Sequence, residues 1–214
     1  MCPLIVYDVV RVTANVYLRL FSGFRVVGAE HFPASGPLIV CSNHLRWGDP
    51  VVLACASRRY IYFMAKQELF ESKLLGAVYG SLGAFPVRRG EVDRAAMRYS
   101  LGLLRGGKVL GMFPEGTRSR DGKLGPGEPG AAVLSLFTRA PVIPAGIRGY
   151  GPGRRLSVAW GRPIDPDDYG AAGAPRDKGA ISAMTTEIMA NIARLTDQAA
   201  PATPAAPPAP EHSA

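Results

Sequence analysis

PLIVCSNHLRWGDPVVLACAS, residues 37–57, holds a strand, a polar turn and a helix in direct succession. Its first six residues form an apolar run of the kind found in strands buried on both faces. Asp49-Pro50 then opens a second apolar stretch, with Asp suited to a helix N-cap and Pro to the first helical position.

Outward from this unit the alternation continues. Strands are expected over residues 60–64, 84–87, 108–113, 141–147 and 155–160, and helices over 49–57, 91–105, 131–139 and 178–196. Gly106-Gly107 closes the second of these helices, and residues 114–130 read as a Gly/Pro-rich loop. The order implies an α/β fold: a single domain with a mixed, central β-sheet flanked by helices. With 214 residues, 47% of them hydrophobic, the chain can build one sizeable core.

Both ends differ from this body. In LIVYDVVRVTANVYLRLFS, residues 4–22, all the polar members but Thr13, namely Asp8, Arg11, Asn15, Arg19 and Ser22, fall three or four apart on one narrow helical stripe. The remaining circumference is apolar and must be covered by the domain or by lipid; the periodicity leaves both open. Residues 198–214 include 12 Ala or Pro and read as a disordered tail. The expected division is an amphipathic N-terminal segment (1–23), a catalytic domain (24–197) and a tail (198–214).

Lys and Arg number 25 against 17 Asp and Glu, a formal net charge of +8. That balance favours a polyanionic partner such as an anionic membrane or a phosphorylated substrate. Nucleic acid is not expected, because no RNP-like strand or C2H2 spacing occurs. Cys2, Cys41 and Cys55 are too few and too scattered for a disulfide framework or a metal set. No run of 18 uncharged apolar residues is present, so a spanning helix is not expected, nor is a signal peptide.

Chemistry centres on Asn43-His44-Leu45-Arg46-Trp47-Gly48-Asp49, where the first strand gives way to the helix. Across a Gly-containing turn, Asp49 can accept from one imidazole nitrogen of His44 and leave the other as a base. No G-x-S-x-G elbow, P-loop or dinucleotide fingerprint competes with it. A base without an enzyme nucleophile suits direct transfer, in which an acceptor hydroxyl attacks an activated acyl carbonyl. Phe113-Pro114-Glu115-Gly116-Thr117-Arg118-Ser119 follows another strand and offers hydroxyls and a guanidinium suited to phosphate. Lys66, Arg88 and Arg89 also lie just past strand ends. The other histidines, His31 and His212, stand apart in a turn-like segment and in the tail.

These blocks resemble those of the glycerolipid acyltransferase family, typified by lysophosphatidic acid acyltransferase. Asn43–Asp49 is similar to its N-H-x-x-x-x-D motif, Gly83–Arg88 to its Gly–aromatic–basic block, Phe113–Ser119 to F-P-E-G-T-R-S and Ala140–Pro144 to its Pro-containing strand. The resemblance implies His44 as base and Asp49 as its orienting partner. It further implies that Asn43, Lys66, Arg88, Glu115, Gly116, Thr117 and Arg118 serve substrate binding, the charged ones around a glycerol phosphate. The donor would be acyl-CoA or acyl-carrier protein, with no metal or bound cofactor. The acceptor would be 1-acylglycerol-3-phosphate, glycerol-3-phosphate or a lyso-phospholipid with a larger head group. The protein would sit on the cytoplasmic face of the cell membrane, tethered by its N-terminal segment. A non-catalytic anionic-lipid binder is the rival of another class. One departure stands out: Glu128, in Gly127-Glu128-Pro129-Gly130, replaces the basic residue usual there.

Overall fold

The computed structural model describes residues 3–88, 93–119, 121–151, 154–170 and 177–201. Cys2, Arg89, His212 and most of the expected tail lie outside the described residues. Strand β2 (Leu38–Ser42) is buried along its whole length because it lies in the middle of a seven-stranded sheet. β5 (Val109–Met112) flanks it on one side and β6 (Val142–Arg148) on the other, both parallel to it. The order runs β1 (Arg25–Val27), β7 (Ser157–Trp160), β6, β2, β5, β3 (Ile61–Lys66), β4 (Ala84–Val87). Only the β6–β7 pairing is antiparallel, so the sheet is mixed, as expected.

Alternate residues of β2 feed two layers. Ile39 and Cys41 join Leu110, Leu134, Met184 and Ile188 beneath α4 (Arg94–Arg105), α5 (Gly130–Thr138) and α6 (Lys178–Thr196). Leu38 and Val40 pack with Leu53, Ile61, Ile143 and Trp160 on the opposite face, against α2 (Asp49–Ala56). α4 begins at Arg94, its first backbone N–H groups capped by Asp93. Two elements escaped the sequence reading. β1 is a three-residue edge strand, and α3 (Lys73–Ser81) is a nine-residue helix with two glycines that shows no long apolar period.

α1 (Pro3–Ser22) docks through Arg11 and Asn15 of its polar stripe together with Tyr7, Ala14 and Leu18, while Asp8 and Arg19 of that stripe stay exposed. Asn15 Nδ2 donates to Cys55 O at 2.9 Å and Arg11 Nη1 to Ser57 O at 3.4 Å. These carbonyls end α2, where orphan acceptors and the negative end of the helix dipole favour amide and guanidinium donors. Tyr7 anchors the same helix: its buried hydroxyl accepts from Ile61 N at 3.3 Å. Consequently Ile5, Val9, Val12, Val16, Tyr17, Leu20 and Phe21 are each more than half exposed. Leu74, Leu75 and Val78 of neighbouring α3 are exposed as well. Among the described residues no helix is long and apolar enough to cross a membrane.

The folded body extends slightly past the expected boundary at residue 197. Asp197 pairs with Arg148, and Leu124 N donates to Gln198 Oε1 at 2.6 Å. Ending the chain after Pro201 should leave the melting temperature unchanged, whereas ending it after Thr196 should lower it by about 2–6 °C through loss of these contacts. Thermal denaturation of the two truncations checks this.

Candidate active site

His44 lies just past the carboxyl end of β2, the edge of an α/β sheet where ligand sites form. Its Nδ1 meets Asp49 Oδ2 at 2.8 Å, which assigns the proton to Nδ1 and leaves Nε2 as acceptor. The same Oδ2 accepts Leu45 N at 2.6 Å and Arg46 N at 2.7 Å, while Tyr150 Oη donates to Oδ1 at 2.7 Å. Asp49 is fully buried, and these hydrogen bonds replace the water its charge has lost. Its carboxylate faces backward into the turn, so Asp49 does not cap α2 as expected. Gly48 occupies the cap position without a side-chain bond.

The loop after β5 clamps the His44 backbone. Glu115 Oε1 accepts His44 N at 2.9 Å and Oε2 accepts Gly125 N at 2.9 Å; Ser119 N donates to His44 O at 2.8 Å. Burial raises the Glu115 carboxyl above its ordinary range, against the opposing pull of these two N–H donors. Gly116 turns the loop at φ +66°, a left-handed conformation open to glycine. Phe113 lies flat on the imidazole, with ring centroids 3.9 Å apart and 15° between planes. On the other side, Asn43 Nδ2 donates to Ile147 O at 3.0 Å and its Oδ1 accepts Ile147 N at 2.8 Å, tying the motif to β6.

An apolar cavity of about 380 Å³ opens beside His44. α1, α2, β3 and α3 contribute Val10, Val51, Phe63 and Tyr79 to its walls, and Lys66, Arg118 and Arg11 are the cations that border it. His44, Lys66 and Arg118 are thus brought together. Three expected substrate-binding residues are placed otherwise. Asn43 and Glu115 spend their side chains on the backbone, and Arg88 borders a separate depression, where its Nε donates to Gln67 Oε1 at 2.9 Å. The cause is topological: Arg88 leaves β4, the outermost strand, two places from β5. Gly116 and Thr117 stay exposed on the loop. Tyr150 was missed, and no local spacing links it to the motif.

Comparison with known proteins shows the family and the fold. A family model described as Acyltransferase matches residues 23–148. The chain is 30% identical over 191 residues to a 1-acyl-sn-glycerol-3-phosphate acyltransferase of Bacillus subtilis (strain 168), covering 86% of this chain and 94% of that one. It is 29% identical over 168 residues to a protein of the same name from Streptococcus pneumoniae, covering 75% and 61%. In fold it is similar to the crystal structure of the 1-acyl-sn-glycerophosphate (LPA) acyltransferase PlsC from Thermotoga maritima, with a TM-score of 0.60, 23% identity and coverage of 83% and 79%.

Glu115 supplies two acceptors to two backbone donors, so Glu115→Gln should set an amide N–H against one of them. We expect about 1–3 kcal/mol of lost stability, from thermal or denaturant unfolding, together with a fall in turnover. The folded carboxyl binds its proton more tightly than in the unfolded chain, so wild-type stability from this group falls as pH rises through its folded titration. The Gln variant should lack that slope.

Proposed function

Because the chain belongs to the acyltransferase family whose model spans residues 23–148, we propose that it acylates the free hydroxyl of 1-acylglycerol-3-phosphate to give phosphatidic acid. Acyl-CoA or acyl-carrier protein would be the donor. The observation that carries this reading is His44 on the wall of an apolar cavity, with buried Asp49 behind it at 2.8 Å. His44 Nε2 takes the acceptor's hydroxyl proton as the oxygen attacks the thioester carbonyl. The tetrahedral intermediate expels the thiolate, which recovers that proton from the imidazolium, and the base is restored. Asp49 holds the tautomer and stabilises the transient cation. The acyl chain occupies the cavity, while Lys66 and Arg118 receive the phosphate. Since a thioester brings its own leaving group, this route calls on no metal or bound cofactor.

A second acceptor class is favoured by one observation. A Cβ placed on Gly116 would lie 3.7 Å from Glu128 Cγ, so an acidic side chain flanks the phosphate-binding loop. A lyso-phospholipid with a cationic head group would meet it favourably, and an acceptor panel separates the two.

The exposed apolar faces of α1 and α3 suit a bilayer, and the net charge of +8 suits an anionic one. We place the protein on the cytoplasmic face of the cell membrane, with α1, about 30 Å long, lying along the interface. Replacing Val9, Val16 and Leu20 by Asp should abolish sedimentation with anionic vesicles while the melting temperature holds. Unchanged sedimentation, or a change in oligomeric state instead, assigns the face to protein packing. For the chemistry, His44→Ala should slow single-turnover acyl transfer by about 10²–10⁴-fold on folded, vesicle-bound protein. A near-normal rate would exclude His44 as the base.

A further inference from the structure

We propose that Tyr150 is a positioning residue for the reaction, setting through Asp49 how readily His44 acts as a base. The inference rests on His44 being that base. Asp49 Oδ2 is shared by His44 Nδ1 and two backbone N–H groups, whereas Oδ1 takes the Tyr150 hydroxyl as its one donor among the described residues. Removing that hydroxyl would leave half of a fully buried carboxylate without a partner.

The placement of Tyr150 is itself constrained. It follows β6 after Gly149, which has φ +89°; a Cβ there would fall 1.9 Å from Arg155 O, so only glycine allows this turn. Asn43 holds Ile147, three residues earlier, to the histidine motif from the other direction. Arg46 covers the phenol ring, its guanidinium 5.5 Å from the centroid. Burial, then the Asp49 charge, push the Tyr150 hydroxyl well above its ordinary range, so it keeps its proton and remains a donor. Tyr150 does not line the cavity beside His44. It can therefore influence the reaction without touching substrate.

The sign of the effect follows. A carboxylate that loses a donor holds its charge less delocalised and attracts the imidazole proton more strongly. The imidazolium then persists to higher pH, and the base form is lost earlier on acidification. Other charged or titratable groups around the site are Arg46 from the turn itself, Glu115 on the His44 backbone, and Arg118, Lys66, Arg11, Tyr7 and Tyr79, which line the same cavity as His44. Tyr150→Phe leaves all of them in place.

The experiment uses the full chain on anionic vesicles, with long-chain acyl-CoA and 1-acylglycerol-3-phosphate. On the acid limb Tyr150→Phe should reduce kcat by up to about tenfold, with the plateau at higher pH and both KM values nearly unchanged. The acid limb of kcat/KM should move to higher pH by about one unit. In an Asp49→Asn background the same substitution should change kcat by less than about twofold, because its route of action is gone. An unmoved acid limb, or an undiminished effect in the Asp49→Asn background, overturns the proposal. If Tyr150→Phe is too unstable to assay, 3-fluorotyrosine at position 150 makes the hydroxyl a stronger donor and should move the limb to lower pH; no displacement overturns the proposal equally. His44→Ala in parallel separates the two levels. If it retains activity, the base assignment fails; if it is inactive while the Tyr150 variant behaves as wild type, only the role of Tyr150 fails.

Discussion

A single carboxylate, Asp49, is withdrawn completely from water and must be compensated by protein donors. An isolated buried charge would cost far more than the few kcal/mol by which a domain is stable, so its surroundings are built to supply hydrogen bonds. Two come from the backbone of Leu45 and Arg46, which folds the turn back on itself. One comes from the imidazole and one from a tyrosine beyond the far end of β6. Satisfying Asp49 therefore fixes the turn, the ring tautomer and the junction of two strands together.

The same economy of donors extends outward. Glu115 uses both oxygens on backbone N–H groups, His44's among them, and Phe113 from the same loop stacks on the ring. The histidine is thus held from the β5 side by a carboxylate and an aromatic face, and from the β6 side through Asn43. What remains open is the apolar side, where the cavity lies. An imidazole presented to an apolar space, with cations at its border, suits the proposed acyl transfer onto a phosphate-bearing lipid. Positioning of two such substrates can supply about 7–11 kcal/mol of the barrier reduction.

The orientation of α1 follows from helix-end chemistry together with apolar packing, since Tyr7, Ala14 and Leu18 also face the body. α2 ends in carbonyls with no intrahelical partner, and Asn15 and Arg11 fill that need. With Arg11, Asn15, Tyr7, Ala14 and Leu18 facing inward, the rest of the apolar circumference is turned outward next to the exposed residues of α3. Other faces of these helices line the cavity, through Tyr7, Val10 and Tyr79, so the surface that suits lipid and the space that suits an acyl chain are built from the same helices.

The strands around the site were legible because burial on both faces requires uninterrupted apolar runs, as in Leu38–Ser42 and Val109–Met112. The helices were legible where their stops are written locally, as at Gly106-Gly107, and the His44–Asp49 pair because five residues across a glycine turn can close on themselves. Local chemistry settled those features. It could not settle partners far along the chain: Glu115 is 71 residues from His44, Tyr150 is 101 from Asp49 and Ile147 is 104 from Asn43. Strand order brings these together, and strand order also carries Arg88 away from the cavity to the edge of the sheet. α1 shows the division most plainly. Period alone made it an amphipathic helix, but which face meets the protein depended on where the carbonyls ending α2 and the apolar surface beside them came to rest.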